Sequence, residues 1–189
     1  MEIINEAIIE SRMREMIGEI KAGKLFVYPT DTIYGVGCDA TNGPAVRRVR
    51  EIKRREAKPF SVIAPSIEWI ERNCIISSKG RNWLDRLPGP YTLILRLSRK
   101  DSVAKEVNEG LETLGVRIPD NWFAKMIEKS GVPFVTTSVN LGGRPHMTSI
   151  DDIDQSIRAS VDYLVYEGPL RGRPSKVIDL AGTGATVRE

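Results

Sequence analysis

Apolar positions along the chain follow two spacings, one typical of helices and the other typical of strands. Residues 5–22 carry apolar side chains three or four positions apart, as on one face of an amphipathic helix. The predicted helices are residues 5–22, 43–55, 66–72, 120–128 and 149–157. The predicted strands are residues 25–28, 61–64, 91–97, 115–118, 132–137, 162–166 and 176–180. Because the helices and strands interleave imperfectly, the pattern favours an α/β fold with a mixed sheet over a regular doubly wound one.

Two predicted strands run directly into polar, glycine-containing segments. Residues 29–37 read PTDTIYGVG and follow the strand at 25–28, and residues 138–143 read SVNLGG and follow the strand at 132–137. Pro29 is expected to end its strand, so residues 29–37 are predicted to be a turn with neither helix nor strand. A polar turn at a strand end is a common ligand site in α/β proteins, although an ordinary capped turn is the alternative.

Length and composition favour one compact domain over residues 1–189, with no bound metal. The chain has 189 residues, of which 41% are hydrophobic, and only two cysteines and one histidine. These residues do not form a zinc motif, and they exclude a histidine-rich metal centre. Since the sequence shows neither a long apolar run nor a signal-peptide pattern, we expect a soluble, cytoplasmic protein without a membrane span.

Positive charge is concentrated in one segment. Residues 47–58 contain seven basic and two acidic side chains, a charge of +5, whereas the whole chain carries +3. Such a cluster predicts an anionic partner, such as phosphate, carboxylate or RNA, although for the cluster taken alone a solvated helix face is the commoner explanation. Residues 18–24 nearly match a phosphate-binding loop, but they close a helix and precede a strand, which is the reverse of what that motif requires.

The candidate chemistry lies in hydroxyl, amide and cationic side chains at the ends of strands. A single histidine makes a conventional nucleophile–base pair hard to assemble. The inventory suits a site that gathers anionic reactants and stabilises developing charge, without a covalent intermediate on the protein.

Six segments of the chain resemble, in order, the motifs of the YrdC family of threonylcarbamoyl-AMP synthases. They are PTDTIYG at 29–35, KRREAKPF at 53–60, PGPYTL at 88–93, GVRIP at 115–119, SVNLGGRP at 138–145 and PSKVID at 174–179. One such match would be weak, but six in order, over nearly the whole chain, are specific. The resemblance implies a single α/β domain with a twisted mixed sheet and flanking helices around a concave basic cleft.

The resemblance also implies a reaction. The family condenses L-threonine, bicarbonate and ATP, with Mg²⁺ on the triphosphate, into threonylcarbamoyl-adenylate and pyrophosphate. A partner transferase then moves the threonylcarbamoyl group to an adenosine of tRNA, so the implied partners are that protein and tRNA or double-stranded RNA. Longer family members have a second C-terminal domain, and the resemblance places this chain among the single-domain forms.

Side-chain roles follow from the same resemblance. The expected catalytic cations are Lys53 and Arg55, which would neutralise the repulsion between the anionic reactants. The residues expected around threonine are Thr32, Tyr34, Arg117, Thr136 and Ser175, with Arg117 pairing with the carboxylate. The residues expected around the nucleotide are Lys53, Arg55, Lys58, Thr113, Ser138, Asn140 and Arg188. Turn capping is the alternative role for Thr32 and Ser138.

The sequence departs from the family pattern at three positions. Val139 replaces the usual alanine, Gly142 replaces a common serine, and His146 stands where a small hydroxyl residue is frequent. We expect His146 to lie in a loop. Two other functions remain open, namely an RNA-binding module without ATP chemistry and a carbamoyl-transfer domain of the type found in hydrogenase-maturation proteins.

Overall fold

The computed structural model describes residues 1–54, 58–141, 144–182 and 186–188, without the side chain of Arg188. In these ranges the strands are β1 (Glu2–Ile4), β2 (Phe26–Tyr28), β3 (Gly35–Gly37), β4 (Ser61–Ile63), β5 (Cys74–Ile75), β6 (Tyr91–Leu97), β7 (Thr113–Arg117), β8 (Phe134–Ser138), β9 (Tyr163–Val165), β10 (Lys176–Asp179) and β11 (Thr186–Arg188). The helices are α1 (Glu6–Ser11), α2 (Met13–Lys21), α3 (Gly43–Lys53), α4 (Ile67–Asn73), α5 (Ser78–Leu84), α6 (Lys105–Asn108), α7 (Trp122–Ser130) and α8 (Gln155–Ser160), with short 3-10 turns at Lys100–Ser102 and Ile150–Asp152.

The strands form one mixed sheet in the order β1-β9-β2-β3-β8-β4-β7-β6-β10-β11, with β5 paired to β6. Parallel pairs, such as β4 with β7, alternate irregularly with antiparallel pairs, such as β6 with β7. The predicted mixed α/β class is therefore confirmed. Strands distant in the sequence become neighbours, and this brings several strand ends to one region of the sheet.

Apolar side chains cover both faces of the sheet. Along β2, Phe26 and Tyr28 belong to one cluster with α1, α2 and α7, whereas Val27 belongs to a second cluster that contains α3. This alternation is the two-residue period of a strand. Both clusters consist of buried residues, so the central strands are fixed from above and below, and the side chains at their ends are held on a rigid base.

The predicted helix at 5–22 is wrong as a single element. It is divided into α1 and α2 at Arg12, whose backbone leaves the helical region at φ −112° and ψ 23°. The Arg12 guanidinium bonds to Glu2 and Glu15. Burial still follows the predicted face, because Ile9, Met16 and Ile20 are all buried.

The prediction that residues 29–37 contain no strand is also wrong, because Gly35–Gly37 forms β3 between β2 and β8. A Cβ atom at Gly37 would lie 1.7 Å from the carbonyl oxygen of Val135. Glycine here serves close contact between strands and does not supply turn flexibility. The predicted helix at 149–157 is also wrong as a single element. This range contains the 3-10 turn Ile150–Asp152 and the start of α8, which Asp154 caps.

Replacing Gly37 by alanine should destabilise the protein by at least about 2 kcal/mol, because the added methyl group overlaps the Val135 carbonyl. Urea unfolding would measure the change. Gly18→Ala is the matched control, since Gly18 is an exposed position of α2 with nothing within 4 Å of its Cβ position. The control should be stabilised by about 0.5–1 kcal/mol through helix propensity. Equal effects of the two substitutions would contradict the packing argument.

Candidate functional site

A cleft of about 380 Å³ opens where the ends of β4, β7 and β8 meet the polar turn after β2. Its lining includes Tyr34 and seven serine and threonine side chains: Thr30, Ser61, Thr92, Thr136, Thr137, Ser138 and Ser175. The cationic side chains in the lining are Arg117 and Arg144, and none of the described lining residues is acidic. The cleft therefore offers hydrogen-bond donors and positive charge to an anionic ligand.

The turn after β2 is organised by the hydroxyl of Thr30. This oxygen accepts hydrogen bonds from the backbone amides of Thr32 and Ile33 and donates to the Ile33 carbonyl at 2.8 Å. Since its one hydrogen is used there, the Thr32 hydroxyl must be the donor in the 2.8 Å contact between the two side chains. Thr32 is consequently buried behind the wall of the cleft, whereas Tyr34 lines it.

Arg117, the last residue of β7, is the main charged group in the cleft. Its guanidinium is 6% exposed, and Nη2 lies 2.5 Å from Oδ1 of Asp31. The other carboxylate oxygen of Asp31 accepts the backbone amide of Asp120, so the acid is anchored. Burial lowers the pKa of Arg117 from its ordinary value, and the charge of Asp31 opposes that shift.

The guanidinium of Arg117 is only partly satisfied. Both terminal nitrogens lie 3.4 Å from the Thr32 hydroxyl, which is a weak contact. Its Nε is buried and has no hydrogen-bond partner among the described residues. A buried, unpaired donor is costly, so the Arg117 guanidinium has hydrogen-bonding capacity that the described residues do not use.

The opposite wall is formed by Ser138 and Asn140. Oγ of Ser138 lies 2.7 Å from Oδ1 of Asn140, and Nδ2 of Asn140 donates to the carbonyl of Arg144 at 2.6 Å. Lys53, at the end of α3, reaches this wall from behind, and its Nζ lies 2.6 Å from the Ser138 carbonyl. Lys53 is 4% exposed and is not among the lining residues.

Residues 167–175, called here the crossing segment, pass beside the turn that follows β2 and reach the cleft lining at Pro174 and Ser175. The hydroxyl of Tyr34 donates to the Gly168 carbonyl at 2.7 Å and accepts the amide of Glu167. Burial raises the pKa of Tyr34 to about 12, so at neutral pH this hydroxyl keeps its proton and can donate it to the Gly168 carbonyl. The segment ends at Ser175, whose Oγ lies 2.7 Å from the hydroxyl of Thr92 on β6.

The structure brings six of the predicted residues into the lining: Tyr34, Arg117, Thr136, Ser138, Asn140 and Ser175. Thr32 and Lys53 lie immediately behind it. Thr113 is half-buried at the start of β7, and Lys58 is exposed, and neither is a lining residue. Arg55 and the side chain of Arg188 lie outside the described residues. The roles of all these residues therefore stay predictions.

The sequence reasoning missed the cationic lining residue Arg144 and three hydroxyl residues of the lining, namely Ser61, Thr92 and Thr137. Each of the three hydroxyl residues belongs to a strand, where a hydroxyl residue does not distinguish a ligand site from an exposed edge. Thr92 lies inside the quoted PGPYTL motif, so alternation along β6 could have identified it. His146 lies outside any helix or strand, as expected, and it also lines the cleft.

The basic cluster at 47–58 is not one open cationic surface. Arg47 pairs with Glu106, Arg48 with Asp162, and Arg50 with Glu109. Lys53 also bonds within the chain, so at least four of the seven basic side chains in this cluster have partners in the protein itself. This pairing weakens the prediction that the cluster as a whole grips RNA.

Both cysteines are buried, and burial raises the pKa of Cys38 and Cys74 well above the ordinary thiol value. Neither is therefore suited to act as a nucleophile at neutral pH. Over the described ranges, no group of three or more His, Cys, Asp or Glu residues could hold a metal ion. None of the helices in these ranges is long and apolar enough to cross a membrane.

Comparison with known proteins matches most of the chain to one family and to several of its members. The Sua5_yciO_yrdC family model, described as telomere recombination, matches residues 19–189. A Pyrococcus abyssi threonylcarbamoyl-AMP synthase is 33% identical over 185 residues, which are 94% of this chain and 53% of the relative. A Vibrio vulnificus (strain YJ016) protein of the same name is 27% identical over 176 residues, 89% of this chain and 94% of the relative.

A crystal structure of Pyrococcus abyssi Sua5 complexed with L-threonine matches with a TM-score of 0.87 and 32% identity. The match covers 99% of this chain and 56% of that one. The chain thus spans about half the length of the Pyrococcus relatives and most of the Vibrio one.

Replacing Asp31 by asparagine should destabilise the protein by roughly 3–5 kcal/mol, because it leaves the buried guanidinium of Arg117 without its counter-charge. Asp101→Asn is the control, since Asp101 also pairs with an arginine but is 73% exposed. That change should cost less than about 0.5 kcal/mol. Urea unfolding compares the two, and an Asp31 variant as stable as the control would show that the pair does not hold this turn.

Proposed function

The chain belongs to the Sua5–YciO–YrdC family, and we propose that it is a threonylcarbamoyl-AMP synthase whose catalytic domain is residues 1–189. It would form threonylcarbamoyl-adenylate and pyrophosphate from L-threonine, bicarbonate and ATP. The observation that carries this proposal is the buried Arg117, a lining residue of the cleft. Its Nε has no hydrogen-bond partner among the described residues. An amino-acid carboxylate is an acceptor of matching charge and geometry.

The threonine end of the cleft is proposed to lie between Arg117 and the crossing segment 167–175. Arg117 would bind the carboxylate, and the hydroxyls of Thr136 and Ser175 would bind the polar groups of the amino acid. Thr32 would act from behind by holding the turn in place, and Tyr34 by fixing the crossing segment. All these hydroxyls sit on strands, beside strand ends or on hydrogen-bonded turns, which favours a pre-organised pocket.

The nucleotide end is proposed to lie along Ser138, Asn140 and Arg144. Lys58 and Arg55 would add positive charge near the triphosphate, and Thr113 and Arg188 remain candidates on the same side. Because the described lining contains no carboxylate, we propose that Mg²⁺ enters on the triphosphate of ATP and is not held by protein acids. There it would offset negative charge on the phosphate oxygens.

The proposed reaction has two bond-forming steps. Bicarbonate gives CO₂ and hydroxide, and the amine of threonine attacks the carbon of that CO₂. The proton that the amine loses as the carbamate forms combines with the hydroxide to give water. A carbamate oxygen then attacks the α-phosphorus of ATP, while the bond from that phosphorus to the bridging oxygen breaks and pyrophosphate leaves. No protein nucleophile is needed, which agrees with the two buried thiols. The contribution of the chain is to hold anionic reactants together and neutralise their repulsion.

The product would be used by a transferase that acts on tRNA. We therefore propose a threonylcarbamoyl-transferase as protein partner, tRNA as the RNA that ultimately receives the group, and the cytoplasm as the location. The proposed partners rest on the resemblance to the synthase family, and the proposed location rests on the sequence. An anhydride of a carbamate with a phosphate is reactive, so a nearby acceptor enzyme would limit its hydrolysis.

Pyrophosphate release tests the proposed function. The purified chain is mixed with ATP, Mg²⁺, bicarbonate and L-threonine, and each component is omitted in turn. Release that requires both threonine and bicarbonate is the expected result. Release without threonine would indicate a different ATP-cleaving reaction, and no release together with salt-sensitive RNA binding would favour the RNA-binding module.

Replacing Arg117 by lysine should raise the threonine KM by about 10- to 100-fold, because lysine keeps the charge opposite Asp31 but loses the two-pronged geometry. The ATP KM should stay within about twofold, since the change affects the other end of the cleft. Lys24→Ala is the control, because Lys24 pairs at the surface with Asp162 and is not a lining residue. Steady-state pyrophosphate assays measure all three proteins. An unchanged threonine KM in folded Arg117→Lys would rule out the carboxylate contact.

A further inference from the structure

We propose that Lys53 is a positioning residue, which fixes the nucleotide wall of the cleft through Ser138 and Asn140 and does not itself contact ATP. The inference rests on the proposed function for the identity of the ligand. The contacts of Lys53 themselves do not depend on that function, and they suggest a role different from the direct phosphate contact predicted for this residue.

The ammonium group of Lys53 lies in a compact set of oxygen acceptors. Its Nζ is 2.6 Å from the Ser138 carbonyl, 2.6 Å from the Asn140 carbonyl and 2.6 Å from Oδ1 of Asn140. An ammonium group has three hydrogens, and these three oxygens are enough to accept all of them. A phosphate oxygen would therefore have to displace a short, charge-assisted bond within the protein.

Burial supports the same conclusion. Lys53 is 4% exposed and does not line the cleft, whereas Ser138 and Asn140 both do. A buried ammonium group is tolerated only when its hydrogen bonds are satisfied, so moving it toward a ligand would be costly. The lysine therefore holds the far side of the wall that the ligand would touch.

The bonds of Lys53 determine how Asn140 is oriented. Oδ1 of Asn140 faces Lys53 and the Ser138 hydroxyl, so its Nδ2 must point the other way, toward the Arg144 carbonyl. Without the ammonium group, the oxygen would lose its strongest partner and the amide could rotate. The hydroxyl of Ser138 would lose its acceptor in that rotation, so both lining side chains depend on one buried cation.

Lys53→Arg is the informative substitution. An arginine keeps the charge and can still contact a phosphate, but its planar fork does not fit three acceptors gathered around one point. We expect the ATP KM to rise and kcat/KM for ATP to fall roughly 30-fold, the scale of a small misplacement in a binding wall. The threonine KM should stay within about twofold. A general loss of folded enzyme would instead lower kcat and leave both KM values unchanged.

A double-mutant cycle with Asn140→Ala separates positioning from direct contact. If Lys53 acts through Asn140, Lys53→Arg should cost less than about threefold in the Asn140→Ala background. If the two losses multiply, or if Lys53→Arg keeps the wild-type ATP KM, the proposal is overturned. Lys24→Arg is the matched control, because Lys24 makes one longer contact, 3.6 Å to Asp162, near the surface.

A second readout does not depend on activity. Amide hydrogen exchange at residues 139–141 should be at least about tenfold faster in Lys53→Arg than in wild type, with the exchange of β6 unchanged. Equal exchange in the two proteins would overturn the positioning role, even if the wild type proves inactive as a synthase. Failure of the proposed function would appear separately, as wild-type protein that releases no pyrophosphate.

Discussion

The buried pair between Arg117 and Asp31 is the interaction on which the cleft depends. It joins the end of β7, in the middle of the sheet, to the turn that follows β2. The pair has almost no access to solvent, so a charge left alone there would be strongly unfavourable. The pair consequently holds the turn where the Tyr34 hydroxyl bonds to the crossing segment at Gly168. It also leaves Nε of Arg117 without a hydrogen-bond partner among the described residues.

A second buried cation, Lys53, organises the other wall. The two cations differ in how fully the protein satisfies them: Lys53 has three short contacts to oxygen, whereas Arg117 retains an unpartnered Nε. An unpartnered donor leaves hydrogen-bonding capacity for a ligand, whereas a satisfied ammonium group is suited to holding the residues around it, so we propose different roles for these two cations. Position in a basic stretch of sequence does not distinguish these roles, because Lys53 bonds to residues more than 80 positions away.

Local patterns predicted the parts of the fold that depend on neighbours in sequence. Strand β6 and the start of α3 at Gly43 were predicted correctly, since an apolar run after Pro90 and a proline in the first helical turn act locally. The missed strand β3 depends on Val135, about 100 residues away, which only the folded sheet brings against Gly37. In the cleft, motif resemblance identified Arg117, Ser138 and Asn140 as site residues. The hydroxyls contributed by Ser61 and Thr92 become recognisable only when β4 and β6 are placed beside it.

Among its described residues, the lining of the cleft is rich in hydroxyls and has no acid, no thiol and no nucleophile–base pair, which limits how the cleft can accelerate a reaction. What it offers is location, meaning fixed donors and charge around reactants that would otherwise repel one another. Rate would then depend on how rigidly Ser138, Asn140 and Arg117 are held, because no reactive side chain compensates for misplacement. This requirement explains why Lys53 supports one wall from behind while Arg117 lines the cleft, although both are buried at a desolvation cost that an apolar scaffold would avoid. Burying Lys53 costs free energy, and the proposed benefit is that its contacts keep Ser138 and Asn140 in one geometry.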